Sequence, residues 1–154
     1  MIRYSGPMGT PQPARHTAIV TCMDARIDVL AVLGFALGDA HVIRNAGGVI
    51  TDDVVRSLII SQRLLGTREI IVMHHTDCGM LTFTDDQLKA QIEAETGIRP
   101  PFAMEAFGDL DKDVVQSLAR ITASPFIPYK NRLRGFVYDV ISSQIREIQP
   151  LVAA

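Results

Sequence analysis

The chain is poor in the features that would place it outside ordinary globular proteins. It has only two cysteines in 154 residues, too few for the disulfide framework of a small secreted domain or for a closed four-cysteine metal site. Its fifteen basic and seventeen acidic side chains leave a formal charge of -2. No basic stripe interleaved with aromatics runs through it, so a nucleic-acid partner is not expected. The most apolar stretch, "VLAVLGFALG", is far short of the roughly 20 residues that cross a bilayer, and "MIRYSGPMGTPQPARH" lacks the apolar core of a signal peptide. These absences predict a cytoplasmic protein without a membrane partner. There is no internal repeat and no low-complexity tract.

What is present points to one compact domain over residues 1–154. Hydrophobic residues make up 47% and charged residues 21%, which suits a chain able to bury about two thirds of its unfolded surface. Pro7, Pro11 and Pro13, with Gly6 and Gly9, predict an irregular arm over residues 1–15. Three short β-branched runs follow, at 17–21, 41–44 and 69–73, nearly continuous in apolar character, as strands covered on both faces are. Helical spacing of Val54, Val55, Leu58, Ile59 and Leu65, behind acidic Asp52 and Asp53, predicts a helix stopped by Gly66. A shorter helix is expected from Ile27 to Leu33, before Gly34. The order strand, helix, strand, helix, strand predicts an α/β fold, a mostly parallel sheet with helices on both faces.

Farther along, Thr84 and Gln87 have capping-box spacing ahead of Gly97, and Leu110, Val114, Val115, Leu118 and Ile121 share one face. Both segments read as amphipathic helices, separated by a proline-interrupted loop. "LRGFVYDVISSQIREI" predicts a further strand, or a hairpin turning at Ser142 and Ser143.

The chemistry concentrates at strand ends. Cys22 falls directly after the first strand, and His75 with Cys78 directly after the third, so all three are expected at the carboxyl edge of the sheet, where open α/β folds bind ligands. Two thiolates and an imidazole suit zinc, and three protein ligands leave a fourth position open, as in catalytic sites. A set of two cysteines and two histidines, drawing in His74, is an alternative. So is a pair of inert buried thiols. In "CMDAR", Asp24 offers a carboxylate near the metal and Arg26 a guanidinium able to hold it bidentately. Released from Arg26, Asp24 could become a fourth ligand and shut the site. His74, on the opposite strand face, reads as a packing or hydrogen-bonding residue. His16 and His41 show no partner. Arg44 and Asn45 stabilise the turn at "NAGG" or serve the site directly. Gly47, Gly48 and Gly79 would permit close backbone approach at a substrate pocket, and helix starts near Thr51 and after Cys78 would favour negative charge on a product.

With "CMDAR" at 22–26, "RNAGG" at 44–48 and "HHTDCGM" at 74–80, the sequence resembles the β-class carbonic anhydrases, most closely their short prokaryotic members. The resemblance implies Zn2+ at Cys22, His75 and Cys78, an Asp24–Arg26 dyad, and zinc-bound hydroxide that reversibly hydrates carbon dioxide to bicarbonate and a proton. It also implies a homodimer or a dimer of dimers with sites near subunit interfaces; where the family usually carries a helical N-terminal arm, only about fifteen residues, read as irregular, precede the first strand here. Two thiolates would cancel the charge of zinc, so activity is expected to climb as pH rises through neutrality. Hydrolysis of carbonyl sulfide or carbon disulfide on the same site is the alternative activity. A non-catalytic zinc or dithiol scaffold is a rival of a different class.

Overall fold

The computed structural model describes residues 9–150. Residues 9–16 form bends and turns without helix or strand, as the prolines require, and the rest of the predicted arm lies outside the described residues. Strands β1 (Thr17–Cys22), β2 (Ala40–Asn45), β3 (Glu69–His75), β4 (Leu133–Tyr138) and β5 (Ile145–Ile148) form one sheet in the order β2-β1-β3-β4-β5. The first four are parallel and β5 runs antiparallel to β4. The mostly parallel sheet of the sequence reading is therefore present, with the predicted hairpin as its antiparallel edge. The hairpin turn carries Ser143 at φ 61, and the Asp139 carboxylate accepts from the amides of Ile141 at 2.8 Å and Ser142 at 3.2 Å.

Each helix begins where a short polar side chain can accept from its first turn. In α1 (Val29–Leu33) Asp28 accepts from the Ala31 amide, which starts the helix two residues later than the apolar pattern predicts. Thr51 caps α2 (Asp52–Arg63), which ends three residues before Gly66. Thr84 and Gln87 form the full capping box of α3 (Asp85–Thr96), which Gly97 closes in the left-handed region. Asp109 caps α4 (Leu110–Ala123).

Two cores lie on the two faces of the sheet. One joins Val54 and Leu58 of α2 and Val114, Leu118 and Ile121 of α4 to Ala18, Val20, Ile70, Val72 and Val137. The other joins Val29 of α1 to Ile19, Ile71, Met73, Phe136, Cys22 and Cys78. Alternation along β1 and β3 sends successive side chains to opposite cores. Gly135 in β4 lets α4 pack closely, since a Cβ there would sit 2.5 Å from Val114 Cγ1 and 3.0 Å from Leu118 Cδ1. One expectation fails. α3 has no buried residue, so it is not an amphipathic helix packed on the sheet.

Candidate metal centre

β1 and β3 are neighbours in register, Thr21 opposite Met73, and they end at Cys22 and His75. The Thr21 hydroxyl donates to the Met73 carbonyl at 2.8 Å, fastening the two strands one residue below the site. After His75 the chain turns at Asp77 (φ 54) and delivers Cys78 to the same edge. The donor atoms of Cys22, His75 and Cys78 all lie within 4.8 Å of one another, and all three residues are buried. Sequence spacing and sheet topology thus bring together the three residues singled out as ligands.

The protonation pattern fits a divalent cation. His75 Nδ1 lies 2.8 Å from the Thr76 carbonyl, which can only accept, so Nδ1 carries the hydrogen and Nε2 keeps its lone pair. That Nε2 is buried with no hydrogen-bond partner, a costly arrangement unless something electrophilic meets it. The Cys78 thiol holds the Cys22 thiol down to about 3 against the opposing effect of burial, with help from His75 and the amides of Asp24 and Gly47. Cys22, together with burial, pushes the Cys78 thiol up. Burial disfavours a positive charge at His75, but the negative charge of Cys22 and of Asp24 beside it outweighs that and leaves the imidazole raised, so the cluster favours a cation next to it. A pocket that stabilises thiolate charge beside a free imidazole lone pair is what zinc requires.

Asp24 and Arg26 meet as the sequence reading expects. Arg26 Nε donates to Asp24 Oδ1 at 3.0 Å and Nη2 to Oδ2 at 2.8 Å, while the Arg26 amide donates to Oδ1 at 2.9 Å. The Arg26 side chain, then its amide, holds the Asp24 carboxyl well below the usual carboxylate range. Asp24 Oδ2 stands 3.8 Å from His75 Nε2, beside the cluster. Arg44 spans the segment from 22 to 27, donating to the carbonyls of Cys22 at 2.8 Å, Asp24 at 2.7 Å and Ile27 at 3.3 Å. Asn45 ties its turn through the Val49 carbonyl at 2.9 Å.

The glycines divide. Gly48 (φ 67) packs so closely that a Cβ would lie 2.8 Å from the Thr21 carbonyl carbon, and Gly47 (φ 83) donates its amide to Cys22 Sγ at 3.3 Å. A Cβ at Gly79 would meet nothing within 4 Å, so no protein neighbour requires glycine there. Only a three-residue 3-10 turn, Gly79–Leu81, follows Cys78, and the next α-helix starts at Asp85; no helix dipole is aimed at the site from there. The α2 start after Thr51 is present.

The other histidines stand outside the cluster. His74 Nε2 pairs with Asp113 Oδ2 at 2.6 Å and its ring stacks on Phe107. His41 bonds Ser61 Oγ and the Pro11 carbonyl, and His16 the Gly66 carbonyl. Sequence reasoning missed Asp77, which takes Arg26 from a second side. Its signal was a tight turn between His75 and Cys78 that needs a residue tolerant of positive φ, a role aspartate fills.

A model of the carbonic anhydrase family matches residues 17–145. Beta-carbonic anhydrase 1 of Mycobacterium tuberculosis is 59% identical over 147 residues, covering 96% of this chain and 90% of that one. A carbon disulfide hydrolase of Saccharolobus solfataricus is 34% identical over 158 residues, covering 86% and 77%. Among solved structures, the carbonic anhydrase of Streptococcus mutans superposes with a TM-score of 0.89 at 42% identity, covering 94% of this chain and 88% of that one.

Proposed function

Because this chain belongs to the β-carbonic anhydrase family, we propose that it catalyses the zinc-dependent, reversible hydration of carbon dioxide to bicarbonate and a proton. The observation that carries the reading is the convergence of two sulfurs on a buried imidazole whose Nε2 has no partner. Cys22, His75 and Cys78 would hold the metal. When bound, zinc supplies the Lewis acidity that brings the ionisation of water towards neutral pH.

The remaining residues act around that centre. Thr76 fixes the tautomer of His75 through its carbonyl. Gly47 donates its amide to the Cys22 sulfur, moderating the charge that sulfur presents. Asp24, kept ionised by Arg26, is placed to accept a hydrogen bond from a water molecule beside the cluster and so to orient it. Met80, Phe83 and Phe107 pack into the same core as Cys22 and Cys78, giving apolar walls suited to a substrate without charge.

The assay is direct. Zinc-loaded protein is expected to hydrate carbon dioxide with a rate that climbs as pH rises through neutrality, and Cys22→Ser to lose both the zinc and the rate. A flat profile from roughly pH 6 to 9 at constant zinc content counts against the reading. Sulfide release from carbon disulfide or carbonyl sulfide on the same preparation, faster than hydration, would favour the alternative hydrolase; the higher identity to the mycobacterial anhydrase supports hydration.

We further assign the protein to the cytoplasm, on the strength of its two free buried thiols. No helix among the described residues is long and apolar enough to cross a membrane. A homodimer or dimer of dimers is supported by Met23 and Leu81, apolar side chains left exposed next to Cys22 and close to Cys78. Sedimentation of the zinc-loaded protein tests it, and a monomer at micromolar concentration would refute it.

A further inference from the structure

The guanidinium of Arg26 is held from two sides. Nε and Nη2 grip the two oxygens of Asp24, while Nη1 donates to Asp77 Oδ2 at 2.9 Å and Nη2 also to the Asp77 carbonyl at 3.1 Å. Different N–H groups serve the two carboxylates. The grip on Asp77 therefore takes nothing from the grip on Asp24, and the contacts reinforce one another. Asp77 lies between His75 and Cys78, on backbone fixed by both, at a positive φ of 54 that few side chains tolerate.

We propose that Asp77 is a positioning residue for the carboxylate beside the metal centre, anchoring the free corner of Arg26 so that Asp24 stays on the guanidinium and leaves the fourth position open. The inference rests on the zinc reading above. Asp24 Oδ2 is already 3.8 Å from His75 Nε2, so a carboxylate that escapes Arg26 has a divalent cation as its nearest alternative partner. Arg26 is 48% exposed and its long side chain has many rotamers. The Asp77 carboxylate is 75% exposed and its ion pair alone would restrain Arg26 weakly, but the Asp77 carbonyl adds a second bond from the same turn. The second anchor ties it to the loop that carries two of the three metal-holding residues, so the position of Arg26 follows the position of the centre. Sequence adjacency within "HTDC" is thereby joined to "CMDAR" across 51 positions.

Three variants test this on cobalt-loaded and zinc-loaded protein. Asp77→Gly removes the side chain and also relieves the positive φ, so a loss there cannot come from backbone strain. Asp77→Asn keeps an oxygen acceptor and tolerance of the turn while removing the charge. Arg26→Gln removes the partner. Azide is titrated into the cobalt protein by visible absorption, and the transfer of zinc to a chelator is timed. Asp77→Gly is expected to weaken azide about two- to fivefold and to slow zinc release in proportion, because Asp24 then competes for the fourth position. Asp77→Asn is expected to do so less. In the Arg26→Gln background, Asp77→Gly should add nothing. Unchanged azide affinity in Asp77→Gly, or a full effect persisting without Arg26, overturns the proposal. Failure of the native protein to bind either metal at the cluster would instead overturn the zinc reading on which it stands.

Discussion

The helices α2 and α3 begin with the same three residues, Thr-Asp-Asp, and run for the same twelve positions. In both, the threonine hydroxyl accepts from the third residue of the helix. α2 then buries Val54, Leu58, Ser61 and Gln62, and Gln62 reaches across to bond both backbone groups of Tyr129 at 2.8 and 2.9 Å. α3 buries nothing. It is tied to the following loop by Asp85, whose carboxylate accepts from the amides of Met104 and Ala106 at 2.9 Å and of Glu105 at 3.3 Å, while Arg99, just past its end, folds back to pair with Asp86 and Glu93 of the helix itself. Identical caps thus start both helices, but capping does not decide which becomes part of the core. That depends on whether the apolar residues behind the cap recur along one face opposite a sheet.

The contrast can be broken most sharply by truncating equivalent leucines. Leu58→Ala in α2 is expected to cost about 2–5 kcal/mol, because the side chain is fully buried, whereas Leu88→Ala in the partly exposed α3 should cost below about 1 kcal/mol. Denaturant unfolding of both variants measures it, and equal losses would show that α3 is covered in solution. Next in size, Asp85→Asn should cost about 1–3 kcal/mol through its three amide bonds, against about 0.5 kcal/mol or less for exposed Asp52→Asn.

The Asp85 tie also has a pH signature. The Ala106 amide, opposed by burial and joined by those of Met104 and Glu105, lowers the carboxyl below its ordinary value. A group depressed in the folded state stabilises fully above its unfolded value of about 3.9 and loses that contribution as pH falls through the folded value. Protection of the 104–106 amides against hydrogen exchange, taken relative to the intrinsic rate at each pH, should therefore fall only in acid, and Asp85→Asn should abolish that step. Most local in its effect, Thr84→Ala should fray the first turn of α3 by about 1 kcal/mol, seen as faster exchange there with the global midpoint almost unchanged.

The periodic and capped elements were legible in the sequence because caps and apolar spacing act over a few residues. Thr84 with Gln87, and Leu118 with Ile121, needed no distant partner to be read. The convergence of Cys22, His75 and Cys78 was legible for a different reason: strand ends are marked by the chain itself, and parallel order places them at one edge. Contacts between residues remote in sequence were not. Nothing near His74 announces Asp113, 39 positions on, and nothing near Asp85 announces the amides of 104–106. Nor does the sequence say which glycine the protein itself crowds, since crowding depends on what folds over a residue, as it does at Gly48, where the neighbour is the backbone of Thr21.

Gly135 touches no metal-binding residue, yet it sets a depth on which much else is gauged. The missing side chain lets Val114 and Leu118 sink against β4. Asp113, one residue along α4, is thereby within reach of His74. Any larger residue at 135 would act like a shim under a hinge, lifting the helix, drawing Asp113 away from the imidazole and loosening the stacked Phe107 whose ring edge crowds Gly47. A position in the plainest part of the sheet is thus a fine adjustment on the stack of His74 and Phe107 beside Gly47.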